Sequence, residues 1–169
     1  MSEQPFQPVL LDLLRQARLD QAAFLQQLND AERAASGAPD HWSAKDHIAH
    51  MTFWRRRLVT QVTAVVQQET PPASEDFEQL NPRIFEEQRE QPWSAILAED
   101  EQVYDALIDC TQQLSEEDLT SFHRFDWIPN QEPLYIIFMG NWYVHTQQHL
   151  AQYYLDRNNL PRATHIYET

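Results

Sequence analysis

His145 and His149 stand four residues apart in "GNWYVHTQQHLAQYY", residues 140–154, an apolar, aromatic-rich run without formal charge. At 3.6 residues per turn the two imidazoles differ by about 40° of azimuth and one turn of rise, so on a helix they leave the same face. Such a pair can hold one metal ion or serve as two hydrogen-bonded core side chains, and the pair alone does not choose. A second pair, His47 and His50, lies in "WSAKDHIAHM". Helical bundles bind metals through facing helices, commonly with a close pair from one helix and further ligands from others. With Ile48 as zero, the apolar arc of this segment runs from about 240° through 360° to about 20°, His47 falls near 260° and His50 near 200°. Periodicity favours His47 as the inward residue and puts His50 at the edge of the buried face, next to Trp54.

The other chemically capable residues carry less. His41, His123 and His165 lie outside the apolar runs and are expected on the surface. Asp46 and Asn141 each stand one turn before a histidine, His50 and His145, and could orient an imidazole, although helix capping already accounts for Asp46. Cys110 is the single cysteine, so an intrachain disulfide is excluded. Its helical spacing from Leu107 and Leu114, with no cation nearby in sequence, marks it as core filler rather than a nucleophile. No Gly-x-Ser-x-Gly occurs, which leaves serine hydrolase chemistry without support.

The elements that must position these histidines read as helices. Only two glycines occur, against 42% hydrophobic and 11% aromatic residues, so the chain has a core to bury and few of the φ > 0 positions that hairpin-rich folds use. The first amphipathic helix covers residues 6 to 29 or so. Ser43 as N-cap with Asp46 at N3 starts a second, from Ala44 to Gln68, which "TPP" ends. A short crossing helix is expected to open at Pro82, a third main helix in "PWSAILAEDEQVYDALIDCTQQL", and one capped turn at "SEEDL". Pro133 opens a last helix that continues to about Asn158, and Pro161 should forbid extension. The expected fold is all-α, a single four-helix bundle spanning residues 1–169, with long connections, the crossing helix between main helices 2 and 3, and a C-terminal tail from about 161.

Charge excludes some partners. The chain carries 12 basic and 26 acidic side chains, a net −14, which repels nucleic acid and anionic lipid. The run Arg55-Arg56-Arg57 cannot form one flat stripe, because successive helical positions diverge by about 100°. It reads as a solvated flank with one arginine pairing an acidic neighbour. No signal peptide or membrane-length apolar run is apparent, and the expected location is the cytoplasm.

The order and spacing of these motifs resemble a known family. "WSAKDHIAHM" is similar to the Trp-Ser/Thr-x-x-acid-x-x-x-His entry into the second helix of DinB/YfiT-like bundle proteins, and "HTQQH" to their last-helix His-x-x-x-His. The segment "FEQLNPRIFEEQREQPWSAILAEDEQVYDAL" resembles the crossing segment and third helix of the ClbS/DfsB branch. The resemblance implies one divalent metal held by His50, His145 and His149, and gives His47 no ligand counterpart, against the helical-wheel reading. Three imidazoles with an open position suit Zn²⁺, and Ni²⁺ or Fe²⁺ are compatible with the same donors. Metal affinity should then fall as pH drops through the imidazole range near roughly 6.5. The implied function is metal-dependent small-molecule chemistry: a thiol-dependent S-transferase of the detoxification type using a low-molecular-weight thiol, or a hydrolase of a reactive small molecule. The alternative is a non-catalytic ligand-binding or stress-response bundle with a structural metal or none. A homodimer is expected from the family and from the abundance of Trp and Tyr.

Overall fold

The computed structural model describes residues 5–73 and 76–168, and its regular structure is helical throughout. In chain order the helices are α1 (Phe6–Gln27), α2 (Asp30–Ala34), α3 (Ala44–Val66), α4 (Phe77–Gln88), α5 (Trp93–Thr111), α6 (Glu116–Thr120), α7 (Leu134–Phe138), α8 (Val144–Leu155) and α9 (Leu160–Glu168). A π turn, Met139–Tyr143, joins α7 to α8 into one rod. That rod, α1, α3 and α5 are the four bundle members, and α4 crosses against α3. No helix among the described residues is long and apolar enough to cross a membrane.

Two apolar clusters fill the bundle. One end packs Leu10, Leu14, Leu58, Val62, Leu107, Phe138 and Trp142; the other packs Phe24, Ile48, Met51, Ile96, Leu150 and Tyr153. Each such fully buried side chain contributes roughly 1.5–3 kcal/mol. Between the clusters lies a buried polar layer. Asp100 of α5 accepts from Arg55 of α3 at 2.7 Å, from Arg18 of α1 at 2.5 Å, from Gln21 at 2.6 Å and from Thr52 at 3.1 Å. Arg55 donates onward to Thr146 of α8 at 2.7 Å and stacks 4.4 Å from the Trp142 ring. All four bundle members therefore meet in one hydrogen-bonded set.

Several sequence expectations are corrected here. Arg55 is not on a solvated flank: it is 1% exposed and pairs with Asp100, while Arg56 pairs with Glu99 at the surface. The crossing helix starts at Phe77, not Pro82, because the Asp76 carboxylate caps it by accepting from the Glu78 N–H at 3.0 Å. Pro82 thus sits within the helix, at the cost of one backbone bond. The first helix stops at Gln27, and Asn29 opens α2 through a capping box with Glu32. At the other end, Asn158 takes a positive φ of 55° that ends α8, and the C-terminal tail expected from about 161 is helical, as α9. Pro161 is in the first turn of α9, where its missing N–H costs nothing, and Asn159 caps the helix by accepting from the Arg162 N–H. The capped turn at Ser115 forms as expected.

Candidate metal centre

The start of α3 is held by its sequence. Ser43 Oγ accepts from the Asp46 N–H, and the Asp46 carboxylate accepts from both the N–H and the hydroxyl of Ser43, at 2.8 and 2.6 Å. Asp46 is thus committed to capping and orients no imidazole. Gly37 packs onto this box so closely that a Cβ there would stand 1.8 Å from an Asp46 carboxylate oxygen, so only glycine lets the loop 35–43 close down. The loop ends in Trp42, whose carbonyl accepts from Arg157 of the residues after α8 at 3.2 Å. Its indole lies over the histidines, 5.0 Å from the His50 ring, 5.3 Å from His47, and stacked nearly parallel on His149 at 5.9 Å.

Beneath Trp42, α3 supplies His50 and α8 supplies His145 and His149. One nitrogen from each comes within 4.8 Å of the others, and the ring centroids are 4.5 to 5.2 Å apart. These are the three residues that the family resemblance selects. The wheel was wrong about His50, which is only 6% exposed, because Trp42 and α4 cover the edge of α3 that an isolated helix leaves bare. It was right that His47 faces inward: His47 is 2% exposed and its Nδ1 lies 3.0 Å from Nδ1 of His149. Asn141 donates to the Ile137 carbonyl across the π turn and not to an imidazole. His41, His123 and His165 are exposed. Cys110 is buried, and burial pushes its thiol up to about 11, which fits core filler.

The donors suit a divalent cation. Burial, with repulsion from neighbouring histidines, drives His47 and His50 down to about 3 and His145 to about 2. Burial together with the Arg55 charge drives His149 to about 4. All are neutral lone-pair donors at pH 7. His145 and His149 bring their Nε2 atoms to 2.9 Å, about half an ångström short of the roughly 3.4 Å that separates two donors on a tetrahedral ion with bonds of about 2.1 Å. Among the described residues, the buried Nδ1 atoms of His50 and His145 have no hydrogen-bond partner. A cleft of about 590 Å³ reaches His149 and His47 past Trp42, walled also by Asp40, Asp156 and Tyr167.

Burial also revises the expected pH response. With folded-state values of about 2 to 4, protonation competes with a metal only near and below pH 4, not near 6.5. For the metal-free protein the sign is clear. The unfolded chain binds protons at these histidines below about 6.5 and the folded chain does not, so stability is complete above 6.5 and is lost on acidification towards 4. Each histidine contributes about 1.4 kcal/mol per pH unit within that window. Urea midpoints of metal-free protein should fall steeply from pH 6.5 to 4.5, and His145→Gln should flatten the slope by about one proton. A midpoint unchanged from pH 7 to 5 would contradict the burial of these rings.

Comparison with known proteins identifies the fold and the superfamily. No protein of curated function matches the sequence. A solved structure, an uncharacterised protein from Escherichia coli UTI89, shares the fold with a TM-score of 0.67 over 90% of this chain and 94% of that one, at 11% identity. A sequence profile of the DinB superfamily matches residues 13–153, from within α1 to past the second histidine of α8. The match is to the superfamily and does not resolve the ClbS/DfsB branch. With its profile, its helical bundle and its three converging histidines in agreement, the chain belongs to the DinB superfamily.

Proposed function

We propose that the protein is a metal-dependent enzyme acting on a small molecule, with His50, His145 and His149 as ligands. The observation that carries this reading is the convergence of three neutral imidazoles, one buried and two partly buried, beside a cleft open to solvent. A closed structural site would need a fourth protein donor, and no other His, Cys, Asp or Glu among the described residues joins the three. A divalent ion there, Zn²⁺ or Ni²⁺ by donor type, would supply a Lewis acid that lowers the pKa of a coordinated thiol or water. The chain's own residues do the rest: the imidazoles stay unprotonated, Trp42 shields them, and the cleft admits a ligand from the His149 side.

The first form of the reading is a thiol-dependent S-transferase of the detoxification type. A hydrolase is the second, and one observation favours it: the charged residues walling the cleft are two carboxylates, Asp40 and Asp156, which repel anionic thiols such as glutathione. Large side chains exposed away from the cleft, Leu19 and Phe122 among them, support self-association as a homodimer.

The two forms separate in the Co²⁺-substituted protein. Millimolar cysteine, glutathione or bacillithiol should add a sulfur-to-metal charge-transfer band that is missing in His145→Ala. If all three leave the spectrum unchanged while the metal stays bound, the S-transferase reading falls and the hydrolase takes its place.

A further inference from the structure

The family resemblance gives His47 no part in the site, yet it is the most enclosed of the imidazoles near Trp42 and touches a proposed ligand directly. Its Nδ1 lies 3.0 Å from Nδ1 of His149, while the other nitrogen of His149 faces His145 at 2.9 Å. Two imidazole nitrogens at that distance share one proton, so one donates and the other accepts. If His149 gives its Nε2 lone pair to a cation, its remaining proton must be on Nδ1. That N–H then donates to Nδ1 of His47, whose own proton is forced onto Nε2, a nitrogen without a partner among the described residues.

We infer that His47 is a positioning residue of the metal centre: its Nδ1 accepts from His149 and fixes the tautomer and ring orientation in which His149 can be a ligand. The inference rests on the metal-binding reading above. Hydrogen-bond acceptors of this kind behind metal-bound imidazoles affect affinity by about 10- to 100-fold. The geometry around His47 supports a fixed role. Its ring is edge-on to Trp42 at 5.3 Å and to Tyr153 at 6.1 Å, so it cannot swing away without displacing one of them. Arg157, which holds the Trp42 carbonyl, also lies over the Tyr153 ring at 3.8 Å and so braces both walls.

The test compares three proteins by chelator competition for Zn²⁺: wild type, His47→Asn and His47→Phe. Asparagine can place an oxygen where Nδ1 was, whereas phenylalanine fills the space and offers no acceptor. Affinity should fall about 10- to 100-fold in His47→Phe and stay within about threefold of wild type in His47→Asn. Nitrogen-15 spectra of the Zn²⁺-loaded wild type should show His149 protonated at Nδ1 and His47 protonated at Nε2. Equal affinity in His47→Phe and wild type, equal loss in both variants, or a proton on His47 Nδ1 would each overturn the assignment. Wild-type protein that takes up no Zn²⁺ would overturn the metal centre itself, an outcome distinct from unchanged affinity in the variants.

Discussion

Protein purified without chelator or affinity tag should carry about one divalent ion per chain, and His145→Ala or His149→Ala should carry almost none. The expectation follows from the number of donors: with three protein ligands, losing one leaves two imidazoles, and the affinity supplied by a preformed cluster collapses. Stability should report the same event. An ion present at 100 times its dissociation constant stabilises the folded chain by about 2.7 kcal/mol, worth roughly 5–10 °C in melting temperature at this chain length. Added Zn²⁺ should shift wild type by that amount and leave His145→Ala unmoved. Alanine at the exposed His123 or His165 should change neither readout. Retention of one ion per chain by His145→Ala would remove this site and with it the enzymatic reading.

The histidine pair on α8 was legible because four-residue spacing fixes two side chains on one face whatever the rest of the fold does. The partner on α3 was not legible from the helix alone. A wheel ranks positions by their distance from an apolar arc, but His50 is buried by a loop and by α4, contacts that no local period contains. Only the family motif pointed to it. The π turn escaped too: "IIFMGNWYV" reads as continuous helix, yet Met139–Tyr143 takes the wider turn just before His145 and so sets the azimuth at which α8 presents both histidines. Arg55 left a readable signal that was taken the wrong way. Ile48, Met51, Arg55, Leu58 and Val62 form one helical stripe, and Ile96, Asp100, Val103 and Leu107 another. A single opposite charge in each of two apolar stripes is the pattern of a buried pair, visible only when the two helices are read together.

That buried pair supports the second large expectation: Asp100→Ala should destabilise the metal-free protein by about 3–5 kcal/mol, the usual cost of leaving one partner of a buried ion pair uncompensated. Arg55 is 1% exposed, and with Asp100 gone its charge would keep, among the described residues, the neutral oxygens of Gln21 and Thr146, the Met51 sulfur and the face of Trp142. Arg18, a quarter exposed, can turn to water and loses less. Urea unfolding measures the difference, and a loss under 1 kcal/mol would mean that solvent reaches Arg55. The apolar double variant Arg55→Met, Asp100→Leu should recover part of the stability, because neither charge is then buried alone. Recovery should stop short of wild type: Gln21 is fully buried and would lose the acceptor of its amide and the donor to its oxygen together. The layer also touches the candidate site. Thr146 accepts from Arg55, donates to the Trp142 carbonyl at 2.5 Å, and lies between His145 and His149 of α8 in sequence. A bond from α3 to that residue holds α8 in the register at which His145 and His149 meet His50. The double variant should therefore bind Zn²⁺ more weakly than its recovered stability alone would suggest, and wild-type affinity in a fully folded double variant would show that the apolar clusters set the register unaided.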